Sequence, residues 1–189
     1  MKKIRTKAVL LTLVAILMQS CYKDDANHHF RIPFKNNTGH SLYVFSGSKE
    51  QYLMFPHFQD TILQSYYCDP SKDTLNTKIR PGKEDEYVLF LRSCYEETFG
   101  YAYDTLLVFI INADTLEKYG WDSVRTCYKV EQRYDLSLED LQYLDFKLCF
   151  PPSEAMKGIR MWPPYGTYDE EGNVVERRNT QKTTKNNKP

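Results

Sequence analysis

No apolar run in this sequence is long enough to cross a bilayer. The longest near the N-terminus, Ala8 to Met18, is broken by Thr12, whereas a spanning helix needs roughly 20 residues. A permanent transmembrane anchor is therefore not expected. Also lacking are a CxxC pair, a Gly-x-Ser-x-Gly elbow, a phosphate-binding loop and a Gly-x-Gly-x-x-Gly turn. These absences leave thioredoxin-like, zinc-ribbon, α/β-hydrolase and dinucleotide-binding chemistry without a signature. Ser46-Gly47-Ser48 has its glycine in the wrong place for a nucleophile elbow. No segment repeats at a period of 20–50 residues, which argues against a solenoid or propeller.

Charge of one sign is missing as well, with 25 basic against 25 acidic residues. Residues 1–20 hold Lys2, Lys3, Arg5 and Lys7 and no acid. Without them the chain is mildly acidic, near −4, and has no electrostatic footprint for nucleic acid.

The N-terminus has three parts: a basic start, the apolar stretch Ala8–Met18, and the small residue Ser20 just before Cys21. That is the layout of an export signal. Leu17-Met18-Gln19-Ser20-Cys21 resembles the lipobox of bacterial lipoproteins, in which the cysteine thiol is diacylated and its freed amine acylated. Met18 and Gln19 depart from the strictest form of that motif. The resemblance implies cleavage before Cys21 and attachment to a membrane through lipid on Cys21. Lys23-Asp24-Asp25 resembles the surface-export signal of Bacteroidetes lipoproteins, which implies an outer-membrane protein displayed on the cell surface.

Aromatics are abundant, with 15 Tyr and 10 Phe, and they favour pleated, half-buried surfaces. The region 22–28 reads as a polar, acidic tether. Alternation of apolar and polar residues from His29 to Lys35, a turn at Asn36–Gly39 and a second strand at Ser41–Ser46 read as an opening hairpin. A short strand is expected near Thr61–Leu63. Pro81-Gly82 forms a turn before a buried strand at Tyr87–Leu91. The run Thr105–Ile111 is continuously apolar after its first residue and should be central in its sheet. Asp114 with Glu117 reads as a capping box opening a helix that stops at Gly120, and Ser137 opens a second capped helix. Strands are expected over Tyr128–Tyr134 and Asp145–Phe150, with Pro151-Pro152 ending the domain.

About seven short strands in roughly 120 residues predict a mainly β fold, an antiparallel β-sandwich of immunoglobulin-like form with two short connecting helices. The expected boundaries are signal peptide 1–20, tether 21–28, β-sandwich 29–152 and a proline-containing polar tail 153–189. That tail is expected to be largely disordered, above all over 166–189, because it carries little apolar surface to bury.

The segment Val108–Trp121, with its Asn112-Ala113-Asp114-Thr115-Leu116-Glu117-Lys118-Tyr119-Gly120-Trp121 core, and the segment Arg133–Gln142 together resemble a recurrent block in small lipoproteins of gut Bacteroidales. The resemblance is strong over about 105–152. It implies source and location and carries no activity over.

Cys68, Cys94, Cys127 and Cys149 remain after Cys21, in an oxidising compartment if the chain is exported. One or two structural disulfides are expected, with buried free thiols the alternative. His28, His29, His40 and His57 are scattered, with only His29 and His40 placed to approach each other across the hairpin, so no metal site or cofactor is expected. Acidic clusters at Glu84-Asp85-Glu86, Glu96-Glu97 and Glu139-Asp140 read as solvated turns and helix starts rather than a hydrolase pair. The expected function is a non-catalytic, lipid-anchored envelope protein with a binding or surface-assembly role. The alternative is a surface glycan-binding module using Tyr43, Tyr52, Tyr66, Tyr67, Tyr101 and Tyr103 as stacking platforms.

Overall fold

The computed structural model describes residues 24–48, 69–72, 78–101 and 104–175. The expected signal segment, Cys21, Lys23 and the strand near 61–63 lie outside the described residues. Eight strands are present among them: β1 (Phe34–Asn36), β2 (Leu42–Ser48), β3 (Lys78–Ile79), β4 (Glu84–Asp85), β5 (Leu106–Asn112), β6 (Gln132–Leu136), β7 (Leu148–Phe150) and β8 (Arg160–Trp162). Four short α-helices accompany them: α1 (Tyr95–Tyr101), α2 (Ala113–Tyr119), α3 (Trp121–Thr126) and α4 (Leu138–Tyr143). None of these helices is long and apolar enough to cross a membrane.

The strands form two sheets, one ordered β3-β2-β5-β6-β8 and one ordered β4-β1-β7. Strand β5 sits at the centre of the larger sheet, as its apolar run predicts. The alternation of a strand's side chains explains the run. Leu106, Val108 and Ile110 enter one core with Phe34, Leu148 and Phe150 of the smaller sheet, while Leu107, Phe109 and Ile111 enter a second core with Leu116 of α2 and Val124 of α3. A strand buried on both faces has no solvent side on which a polar residue could alternate. The molecule is therefore layered: the small sheet with α1 and α4, then the large sheet, then α2 and α3.

The opening hairpin does not form. Strands β1 and β2 are consecutive but join different sheets, with β1 pairing antiparallel to β4 and parallel to β7. The parallel pair also makes the architecture mixed rather than purely antiparallel. Asn36, fully buried, sits where the chain changes sheets. Its carboxamide oxygen accepts from the Thr38 N–H (2.9 Å) and hydroxyl (2.7 Å), and its NH2 donates to the carbonyls of His40 (2.8 Å) and Ile79 (3.1 Å). The side chain thus ties the turn at residues 38–40 to β3 while the β1 backbone pairs with β4 and β7.

The expected strand at Tyr87–Leu91 is instead a turn. Asp85 accepts from the N–H groups of Tyr87 (2.8 Å) and Val88 (2.9 Å), and only Phe90 bridges, to Arg31. Leu89 nonetheless reaches the core, where the Tyr95 hydroxyl donates to its carbonyl at 2.7 Å. The first helix cap also differs from expectation. Asn112, not Asp114, accepts from the Asp114 and Thr115 N–H groups, while Gly120 (φ 73°) ends α2 as expected. The Ser137 box forms as expected, with Asp140 as its partner. Strand β6 begins at Gln132 rather than Tyr128, because α3 occupies 121–126 and Tyr128 turns the chain at φ 48°.

The chain does not leave the domain at Pro152. Met156 and Ile159 are buried in the first core, β8 pairs antiparallel with β6, and Tyr168 bridges Val174. The expected disordered tail is folded through Val175, and residues 176–189 lie outside the described residues. Aromatic anchoring is what the low apolar content concealed. The Tyr168 ring meets Phe150 edge-on at 5.0 Å, and its hydroxyl donates to the Glu131 carbonyl at 2.7 Å.

Candidate functional site

At the start of the domain, Asp24 and Asp25 are engaged by it rather than strung out as a tether. Asp24 accepts from the Phe30 N–H (2.7 Å) and from Arg31 Nε (2.9 Å). Asp25 caps a local turn, accepting from the N–H groups of Asn27 (2.8 Å) and His28 (2.9 Å). The expected 21–28 tether is thereby shortened from its C-terminal side.

Cys94, Cys127 and Cys149 are free thiols, which corrects the expectation of disulfides among them; Cys68 lies outside the described residues. The layering separates Cys127 from the other two. Cys94 is buried just before α1 on one side of the large sheet, and Cys127 is exposed at the end of α3 on the other. Cys149 lies on β7, its Sγ facing the Pro151 carbonyl at 3.4 Å. Burial pushes both the Cys94 and the Cys149 thiols up, which favours the unreactive protonated form.

The histidines disperse to separate carboxylates. His28 meets Asp25 at 3.1 Å, His29 Nδ1 meets Glu96 at 2.6 Å, and His40 Nε2 meets Glu131 at 3.1 Å; His57 lies outside the described residues. His29 and His40 do not converge, since the hairpin that would have joined them is absent. Among the described residues no group of three or more His, Cys, Asp and Glu side chains is gathered as metal ligands.

His29 is fixed by stacking flat on Phe146 (3.7 Å between ring centroids, 8° between planes). Burial alone would push the Glu96 carboxyl up. The His29 backbone N–H and imidazole outweigh it and hold that carboxyl below the usual glutamate value. A carboxyl lowered by folding contributes stability above its unfolded value, and that contribution is lost as pH falls through the lowered one. Urea midpoints measured from pH 7 downward are therefore expected to fall below the ordinary glutamate range. Glu96→Gln should flatten part of that slope, and an unchanged slope would refute the assignment.

Of the candidate stacking tyrosines, Tyr43 is buried (7 % exposed) with the Lys78 ammonium 5.7 Å from its ring centroid, so it is core and not a platform. Tyr101 is exposed at the end of α1. Tyr52, Tyr66, Tyr67 and Tyr103 lie outside the described residues.

Among the described residues, a cleft of about 630 Å3 lies between the chain after β7 and the segment after β8. Pro151 and Tyr165 supply ring surface, while Asn37, Glu154, Lys157 and Asp169 supply hydrogen-bonding groups. The Phe150–Pro151 peptide bond at its wall is cis. Asp169 organises one lip, accepting from the N–H groups of Asn173 (2.8 Å) and Glu171 (3.1 Å), with the Asn173 N–H foremost in holding its carboxyl below the usual value. Burial, followed by the nearby Glu131, pushes the Tyr168 hydroxyl up to about 12, so the bond that holds this segment to the sheet persists at neutral pH. The sequence signal for this site was weak. Trp162-Pro163-Pro164-Tyr165 has no period, and aperiodic aromatic-proline text does not disclose its partner.

Gly172 closes the lip onto the domain. Its φ is +85°, and a Cβ there would lie 2.6 Å from Thr38 Cγ2. Thr38 cannot swing away without losing its bonds to Asn36 and the His40 carbonyl. Gly172→Ala is expected to cost about 1–3 kcal/mol, read as a melting temperature several degrees lower. An unchanged value would show that the lip is not seated on Thr38.

Behind the cleft's sheet lies a charged group of a different kind. Asp135 (side chain 7 % exposed) takes two bonds from Arg133, at 2.7 and 3.2 Å, and faces Arg160 Nε at 3.2 Å. Arg133 Nη1 also donates to the Tyr128 hydroxyl at 3.1 Å, and the Tyr128 ring meets Trp162 edge-on at 5.1 Å. Arg133 ties Asp135 to Tyr128 and Asp135 meets Arg160 of β8, so the group reads as architecture. No family model, curated protein or solved structure matches the chain.

Proposed function

We propose that this chain is a non-catalytic, lipid-anchored protein of the cell envelope that acts by binding, with the cleft between Pro151 and Asp169 as its binding place. The observation that carries the binding role is the composition of that cleft. Pro151 and Tyr165, which carry rings, line it together with the polar or charged residues Asn37, Glu154, Lys157 and Asp169. A few placed polar groups beside ring surface are what orient a small polar ligand. The anchoring role rests on the basic, apolar and small-residue order ending at Cys21, and the surface display rests on Lys23-Asp24-Asp25. Outer-membrane attachment and membership of the small Bacteroidales lipoproteins are part of the same reading, with a glycan or another envelope protein as the partner. The immunoglobulin-like form of the fold belongs to it too. Two sheets sharing one core support that form, and the parallel β1–β7 pair departs from it.

The glycan alternative is favoured by Tyr165, a partly exposed ring at the cleft wall that can stack on a sugar face. The purified domain is expected to retain a glycan on an array, and Tyr165→Ala is expected to lose it. Retention unchanged by the substitution would move the site elsewhere, and an array without hits would leave the envelope-protein partner. Protease shaving of intact cells, beside a periplasmic lipoprotein control, tests the address. Loss of this protein with the control preserved is expected, and protection would overturn surface display.

A further inference from the structure

We infer that the face around Arg31 and Tyr87 rests on the lipid surface to which the chain is anchored, with the Tyr87 ring seated among the headgroups; this rests on the proposed lipidation of Cys21. Only Tyr22 and Lys23 separate Cys21 from Asp24. Three Cα–Cα steps reach at most about 11 Å even when fully extended. Asp24 is no loose end, because its two carboxylate oxygens are held by the Phe30 N–H and by Arg31 Nε. A domain of this size has a radius of gyration of roughly 15 Å, so the reach is shorter than the body it holds. The body cannot roll its far side to the bilayer, and the face bearing Asp24 must stay beside it.

That face carries an aromatic ring held outward. Tyr87 is 61 % exposed. The Asp85 carboxylate fixes its backbone by accepting its N–H at 2.8 Å. The Arg31 guanidinium lies 5.5 Å from its ring centroid, and Arg31 Nη1 donates to its hydroxyl at 3.4 Å. A tyrosine presents an apolar ring with a polar tip, the combination enriched at membrane–water boundaries. Acids outnumber bases around the ring, with Asp24, Asp85 and Glu86 grouped about Arg31 alone and Glu86 Oε2 3.7 Å from Arg31 Nη1. An anionic lipid surface would repel such a face, so the occupant is a zwitterionic phospholipid surface.

The test uses the full lipidated chain in phosphatidylcholine vesicles, prepared with and without bromine on the acyl chains. Two variants are compared with the natural chain, Tyr87→Trp and Tyr119→Trp. Tyr119 is also exposed (48 %) but lies on α2, in the layer beyond the large sheet. Tyr87→Trp is expected to lose at least twice as much emission to bromine as the natural chain, whose Trp121 and Trp162 give the background. Tyr119→Trp is expected to lose no more than that background. Vesicle flotation and the mass of the N-terminal peptide read the anchor separately. A chain that floats, yet shows no excess quenching at Tyr87→Trp or equal excess in both variants, overturns the orientation and leaves the anchor standing. A chain that neither floats nor carries acyl groups overturns the anchor and the orientation together.

Discussion

A chain ending at Pro152 is expected not to unfold as a cooperative domain, whereas one ending at Val175 keeps every contact described for the full chain. The segment after Pro152 contributes Met156 (1 % exposed) and Ile159 (7 %) to the first core. Removing a buried Met or Ile side chain typically costs about 2–5 kcal/mol. Both losses together are comparable with the roughly 5–15 kcal/mol that separates a whole domain from its unfolded chain. The truncation also strips β8 from β6, taking away the partners of Arg133, Tyr134 and Asp135 in that ladder. It removes Tyr168 from Phe150, and it removes the Pro163 carbonyl that accepts from Gln132 Nε2 at 2.8 Å. Gln132 is fully buried and its Oε1 already lacks a protein partner among the described residues, so leaving its Nε2 with only the 3.4 Å bond to the Arg133 carbonyl is costly. Circular dichroism with urea titration distinguishes the two chains. A cooperative transition at an unchanged midpoint for the shorter one would return the boundary to Pro152.

Asp135→Ala is expected to destabilise by about 3–5 kcal/mol, because it leaves Arg133 charged and without its carboxylate while only 11 % of that side chain is exposed. For a domain of this size that corresponds to a melting temperature lower by roughly 10 °C. The guanidinium cannot neutralise itself, and its neighbour Tyr128 offers only one hydroxyl. Arg160→Ala removes the other arginine facing Asp135, but that side chain is 75 % exposed and its loss should cost less than about 1 kcal/mol. Replacing the pair together, Arg133→Met with Asp135→Leu, should recover most of the loss, since two apolar groups leave no charge behind. Thermal unfolding of the four proteins checks all three values. A loss below about 1 kcal/mol for Asp135→Ala would mean that water reaches Arg133 freely.

The elements readable in advance are those whose signal is local. The run ending at Ile111 is apolar at every step because β5 is covered on both faces, and Ser137 with Asp140 closes its own box within three residues. The misread elements are those whose partners lie far along the chain. Arg31 to Lys35 alternates as a strand should, yet the pattern is silent on whether Phe34 faces Leu42 in a hairpin or Leu148 across the domain; it faces Leu148. Tyr87–Leu91 is apolar enough for a strand, but Asp85 captures its N–H groups for a turn. The cleft was invisible for the same reason, being assembled from Asn37, Pro151 and Asp169.

By itself, the sequence determined the central strand, the stop at Gly120 and the Ser137 helix start, since each depends on residues within one or two turns of one another. Tertiary structure decided which sheet each strand joins, that Cys94, Cys127 and Cys149 stay apart as thiols, that the chain beyond Pro152 belongs to the domain, and that Asp24 is pinned to it. Those outcomes depend on which distant surfaces meet. A local pattern specifies which face of an element is buried, while the identity of what buries it is settled only by the packing of the whole chain.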